Sequence, residues 1–281
     1  MKLKTTSLLS IATRTLLAAA ALAAVPLPGA RAAVPAYGID GNGFLRLIPD
    51  LNTMASVVLA PTQFFNGGVN AGLAIAPLGQ LYAGDANGDI FSLALNGTAT
   101  LLGNPGQGPI TGLDWDPSAS DLLVLSASPA SQIFHASPVN GSLIGSPTPA
   151  NIPGQAEDIA WLASGLGYVT FLAGAQTWVA RMDLTTGNLI LGTPAMSSDV
   201  DNWTGVDIDP ATNIAYMIGW LDDSWQITDN AGNLTATQLI ATGNHLDWTA
   251  LAIQQVPEPS TAALLLGSGA AAALRRQRRT G

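Results

Sequence analysis

The chain has 281 residues, no cysteine, and 10 lysines and arginines against 19 aspartates and glutamates. Eight of the basic residues lie in the two ends, so residues 33–255 carry two arginines against 18 acids, a net charge of −16 with no lysine. That balance repels nucleic acid and anionic lipid, and the missing thiols exclude a disulfide framework, a thiolate metal site and a cysteine nucleophile.

At the start, Lys2, Lys4 and Arg14 form a basic segment and residues 16–25 an apolar one rich in Ala and Leu. Ala30-Arg31-Ala32 then offers a small-x-small cleavage pattern before Ala33, so residues 1–32 read as a signal peptide that sends the chain through the Sec translocon. Residues 33–255 form the exported ectodomain, which at 223 residues is long enough for one large core.

The ectodomain opens on three strand patterns: Ala36 to Asp40, Phe44 to Ile48, and Met54 to Ala60. A short motif then recurs. Gly72-Leu-Ala-Ile-Ala-Pro77, Gly112-Leu-Asp-Trp-Asp-Pro117 and Gly205-Val-Asp-Ile-Asp-Pro210 share one pattern, which Asp158-Ile-Ala-Trp-Leu-Ala163 and Ala250-Leu-Ala-Ile-Gln-Gln255 fit loosely. Their starts lie 40, 46, 47 and 45 residues apart, the spacing of propeller blades.

Within each period two further apolar runs follow, then a turn such as Asn96-Gly97, Asn140-Gly141 or Thr186-Gly187-Asn188, then a last strand. Trp248 to Gln254 is a first strand with nothing after it, and the N-terminal patterns are a second, third and fourth strand lacking a first. Joined, they make one blade and remove the open sheet edges. The expected fold is therefore all-β: a β-propeller of five blades, closed by strands from both termini, with an N-terminal signal peptide and a C-terminal transmembrane sorting helix. An open β-sandwich or a β-solenoid would use the same strands, but a sandwich needs no periodic first-strand motif and a solenoid uses shorter repeats.

The chain ends in residues 256–281: Val256-Pro257-Glu258-Pro259, an uncharged run from Ser260 to Leu274, and Arg275, Arg276, Arg278 and Arg279. The prolines stop the fold, the run suits a short membrane helix, and the arginines stay on the cytoplasmic side. This order resembles the PEP-CTERM sorting signal of exopolysaccharide-producing Gram-negative bacteria. The resemblance implies an exosortase-type membrane protease as partner, transient inner-membrane anchoring, and then release or display at the cell surface or in the extracellular matrix. Residues 36–255 in turn resemble extracellular propellers with a G-[LV]-x-[FIW]-D-P first strand and a D-x-x-T-G turn, best matched by Asp183-Leu-Thr-Thr-Gly187.

Catalytic motifs are scarce. His135 and His245 are the only histidines, there is no H-E-x-x-H zinc motif, and there is no G-x-S-x-G elbow. His135 reads as a packed or surface histidine. Asp114 and Asp207 occupy the same place in two blades, on strands expected to line the central channel, where Ala74 and Ala160 stand in two others. They are the candidate carboxylate pair of a polysaccharide-acting enzyme, whether glycosidase or lyase. Asp85, Asn87 and Asp89 alternate as in a calcium loop, which offers weak calcium binding as one reading; Ile90 stands where such a loop needs glycine, and Asn87-Gly88 is a turn in its own right, the other reading. The tryptophans are expected to fill the wedges between blades, with stacking on a sugar ring at the channel mouth as the other role. The leading expectation is a non-catalytic propeller without cofactor that binds extracellular polysaccharide or another extracellular partner through its loops.

Overall fold

The structure, a computed structural model, describes residues 33–63, 71–127, 130–163, 165–190, 192, 194–196, 203–219, 223–231, 233–240 and 247–254. The expected signal peptide and the sorting segment from Val256 onward lie outside these residues. Among the described residues no helix is long and apolar enough to cross a membrane. The chain divides into two compact units, Met1–Ala33 and Val34–Gly281, and the fold described below belongs to the second.

Five antiparallel sheets make five blades. The first complete blade runs β4 (Gly72–Ile75), β5 (Leu81–Gly84), β6 (Ile90–Leu93) and β7 (Ala99–Gly103). The second follows as β8 (Ile110–Asp116), β9 (Asp121–Ser126), β10 (Gln132–Ala136) and β11 (Leu143–Pro149). The third holds β12 (Gln155–Ala163), β13 (Leu166–Ala173) and β14 (Gln176–Asp183), with its outer edge split between β15 (Asn188–Leu189) and β16 (Ala195–Met196). The fourth is β17 (Trp203–Asp209), β18 (Ile214–Gly219), β19 (Ser224–Asn230) and β20 (Asn233–Ile240).

The fifth blade is the composite one. Its order is β21 (Trp248–Ile253), β1 (Ala36–Asp40), β2 (Phe44–Ile48) and β3 (Val57–Pro61), with Ala36 opposite Ile253 and Gly38 opposite Leu251. The N-terminal strands begin and end as the sequence patterns predict, except that the outer one runs from Val57 to Pro61 rather than from Met54 to Ala60. Met54 closes a turn instead, its N–H donating to the Asp50 carbonyl.

The inner strands β4, β8, β12, β17 and β21 touch in that order and close into a ring. Their central residues are buried because each strand packs against its own sheet and against a neighbouring blade. Accordingly the buried side chains fall into five clusters, one per seam. Ala74, Ile90, Leu113 and Phe134 join the first blade to the second, and Leu123, Ile159, Val169 and Met182 join the second to the third. Tyr168, Val206, Met217 and Trp225 join the third to the fourth, and Ile218, Ile48 and Trp248 join the fourth to the composite blade. Ile39, Leu45, Leu73 and Leu81 complete the circle.

The recurring motif glycine has a steric reason. A Cβ on Gly112 would stand 2.7 Å from the backbone nitrogen of Ile159 in the next blade, and one on Gly72 would stand 2.7 Å from that of Leu113. Real side-chain atoms do not approach backbone that closely, so at Gly72 and Gly112 the neighbouring inner strand comes in where the side chain is missing.

Candidate functional site at the channel mouth

Where the inner strands run out into their first turns, a cavity of about 120 Å³ opens. All five blades line it: Ile75 from β4, Asp114 and Trp115 from β8, Trp161 and Leu162 from β12, Asp207 and Ile208 from β17, and Ile253 from β21. Pro117, Pro210 and Asn213 add the rim from the turns after β8 and β17.

The structure brings Asp114 and Asp207 to this one cavity. Their registers match: Asp114 lies opposite Leu123 and Asp207 opposite Tyr216, while Ala74 and Ala160 take the equivalent places opposite Tyr82 and Tyr168. Each carboxyl is also a joint in the ring. Asp114 Oδ1 accepts from the N–H of Trp115 at 2.6 Å and Oδ2 from the N–H of Trp161, across the seam, at 2.5 Å. Asp207 repeats this with the N–H of Ile208 at 2.6 Å and, across its seam, that of Ile253 at 2.5 Å.

A third carboxyl does the same work and has no counterpart in the motif. Asp158 stands where Gly112 and Gly205 stand in the other blades. Its Oδ1 accepts from the N–H of Ile159 at 2.8 Å and its Oδ2 from the N–H of Val206, in the fourth blade, at 2.9 Å. The neighbouring N–H that a motif glycine merely makes room for is here captured by a side chain. The only sequence signal for Asp158 is that substitution of acid for glycine.

All three carboxyls are buried, and desolvation is the main cause of their shifted acidity. Asp114 is pushed up to about 7, with the backbone donors of Trp161 and Trp115 opposing the shift and Asp116 adding to it. Asp207 is raised well above the ordinary carboxylate range by burial and then by Asp114, and Asp158 is raised by burial and then by its two acidic neighbours Asp207 and Asp114. Positive charge is scarce here because the ectodomain's two arginines are engaged elsewhere: Arg46 with Asp40 at 2.6 Å and Arg181 with Asp229 at 3.4 Å.

Four of the tryptophans fall into two pairs. Trp248 and Trp225 are buried in blade seams, as wedge fillers should be. Trp115 and Trp161 are half-buried on the cavity wall, and their indole N–H groups have no hydrogen-bond partner among the described residues. Trp115 is held by stacking on Tyr82 of the preceding blade, with ring centroids 6.3 Å apart and planes at 15°. Trp178 and Trp248 share this unmet indole N–H away from the cavity, so it is the placing of the Trp115 and Trp161 rings on the cavity wall that sets them apart.

The other candidates are placed differently. Asp85 Oδ1 accepts from the N–H groups of Asn87 and Asp89 at 2.9 Å, Oδ2 accepts from the Asn87 amide at 3.0 Å, and Asp89 Oδ1 accepts from the Asn104 amide at 2.9 Å. Gly88, at φ 83°, completes a tight turn whose carboxylate oxygens serve the turn's own donors. His135 is half-exposed, with Nδ1 2.7 Å from Asp121 Oδ1. His245, Trp220, Ala30, Ala32, Val256, Pro257, Glu258, Pro259, Arg275, Arg276, Arg278 and Arg279 lie outside the described residues, while Ala33 is described and exposed.

Residues 255–279 match the family model of the PEP-CTERM protein-sorting motif. The chain thus carries the signal of an exported, membrane-anchored precursor directed to an exosortase. No curated protein matches the chain. Among solved structures, a protein of unknown function from Bacteroides caccae is similar at 10% identity over 73% of each chain, with a TM-score of 0.48. A chain of the nidogen/laminin complex is similar at 10% identity over 78% of this chain and 98% of its own, TM-score 0.49. The WD40 β-propeller domain of Doa1 is similar at 12% identity over 72% and 78%, TM-score 0.43. At these levels the likenesses speak for no residue and no ligand of this chain.

Proposed function

We propose that the mature ectodomain is a non-catalytic carbohydrate-binding propeller, exported with loss of residues 1–32, processed by an exosortase near Pro257-Glu258-Pro259, and then displayed at the cell surface or shed into an exopolysaccharide matrix. The observation that carries the binding reading is the cavity shared by Trp115, Trp161, Asp114 and Asp207. Indole faces stack on the apolar faces of sugar rings, and a few polar groups set orientation. The cavity is smaller than the roughly 300 Å³ of a drug-sized site, which supports a single sugar unit or chain end as occupant. With a net charge of −16 over residues 33–255, a neutral glycan is favoured over a polyanion.

A second reading, a polysaccharide-acting enzyme, draws support from the same two carboxyls. Asp114 at about 7 has the acidity of a general acid, and Asp207 shares its cavity. Against it, both carboxyls already spend both oxygens on backbone donors. The exported protein, screened on a glycan array and titrated calorimetrically with the best neutral hits, separates the two. Binding that falls at least tenfold in Trp115→Ala and Trp161→Ala, with no new reducing ends, supports the lectin. Release of reducing ends that stops in Asp114→Asn would replace it with the enzyme, and no binding to any glycan would sink both.

A further inference from the structure

Outside the channel, three side chains of the second blade converge on one face of its sheet. Asp116 at the end of β8 is the cross-strand partner of Asp121 at the start of β9, and His135 on β10 lies opposite Leu123, diagonal to Asp121. One donor atom from each residue falls within 4.8 Å of the other two. We infer that Asp116, Asp121 and His135 form a binding site for a first-row divalent metal ion of the zinc type.

Burial and charge carry the inference. Asp116 and Asp121 are each only 6% exposed, yet no arginine or lysine faces them. None is available, because residues 33–255 hold no lysine and both arginines are paired with Asp40 and Asp229. Two buried carboxylates side by side without a fixed cation are costly, and a bound dication removes that cost. Each also keeps an oxygen free for it. Asp116 Oδ1 is held by the Ser118 N–H at 2.8 Å and the Ser118 hydroxyl at 2.6 Å, and Asp121 Oδ1 by His135 Nδ1 at 2.7 Å, while both Oδ2 atoms have no partner among the described residues.

The donor set chooses the ion. Calcium takes oxygen alone, whereas an imidazole beside two carboxylates suits zinc and its first-row neighbours. Metal binding at His135 Nδ1 would release the proton now shared with Asp121 Oδ1 at 2.7 Å to solvent, and the two atoms would part toward the roughly 3.4 Å that separates ligands held at about 2.1 Å on a tetrahedral ion. Ser118 would act from behind the ligands, fixing the Asp116 carboxylate as metal-site partners do. His135, about one-third exposed, leaves the ion open to solvent for a water or an outside ligand as fourth donor.

The test uses the exported protein without a polyhistidine tag, stripped with chelator and titrated with ZnCl2, with CaCl2 and MnCl2 as further arms. One equivalent of zinc should bind, more tightly than calcium, and His135→Gln and Asp121→Asn should each weaken it at least tenfold. Cobalt loading gives a readout that needs no variant: an intense visible band reports four-coordinate nitrogen and oxygen ligation. Ser118→Ala, which leaves all three ligands in place, should weaken zinc several-fold even if a ligand variant fails to fold. No stoichiometric zinc, calcium binding tighter than zinc, or equal affinity in the His135→Gln and Ser118→Ala variants would each overturn the site.

Discussion

The backbone N–H of Trp161 donates to Asp114 Oδ2 at 2.5 Å across the seam between the second and third blades. One bond thereby fixes both a wall of the cavity and the approach of two sheets. Replacing Asp114 by Asn leaves one acceptor facing two donors and turns an amide N–H toward the other. An unmet buried donor costs about 1–3 kcal/mol, so Asp114→Asn should lower unfolding stability by that amount in urea titration. Asp207→Asn, which breaks the equivalent bond to Ile253, should match it, and a loss near zero in both would mean the joints are incidental.

Stability should also fall as pH rises. Asp114 and Glu157 are raised to about 7, and Asp158 and Asp207 are raised well above the ordinary range, all chiefly by burial, whereas unfolded carboxyls titrate near 4. A raised folded value means that the stabilising form is the protonated one. Its contribution is complete below about pH 4 and is lost as pH climbs through 7 and beyond. The thermal midpoint should therefore be higher at pH 5 than at pH 8. Asp114→Asn should narrow that gap, which relief of overall charge repulsion would not do.

Gly112→Ala probes the seam directly. Its Cβ would meet Ile159 N and Asp158 Oδ1, both at 2.7 Å, so backbone must move. Overpacking of this kind costs about 1–3 kcal/mol. Gly79→Ala has no atom within 4 Å to strike, although its φ of 85° adds local strain. The difference between the two in chemical denaturation isolates the inter-blade clash.

Ring closure rests on β21. A chain ending at Asp247 loses the partner of β1 and the inner neighbour of β4 and β17, and leaves sheet edges open. It should aggregate or associate through those edges in size-exclusion chromatography, while a chain ending at Gln255, which retains β21, stays monodisperse. Equal behaviour of the two would show that the composite blade adds nothing to closure.

Much of this architecture is legible in the chain, for particular reasons. Gly72, Gly112 and Gly205 recur because neighbouring inner strands leave no room for a Cβ, so the blade period is written in residues whose role is steric. The unpartnered strand at Trp248–Ile253 and the three strands from Ala36 to Pro61 are complementary fragments, and ring geometry is the simplest way to pair them. Asp114 and Asp207 stand out for the same reason, being repeated at one register of one motif.

What the chain by itself determined is therefore what repeats or lies contiguous: the strand period, the composite blade, the bare inner-strand glycines and the terminal sorting motif. Tertiary structure alone decided which unlike residues meet. Asp158 breaks the motif and joins the third blade to the fourth, and Asp116, Asp121 and His135 come together from three strands although 19 residues separate the first from the last. Only folding converted Trp115 and Trp161 from wedge fillers into the walls of a cavity. The physical reason is that spacing along a strand encodes which side a residue faces, whereas contacts across a seam depend on how two sheets twist and settle against each other.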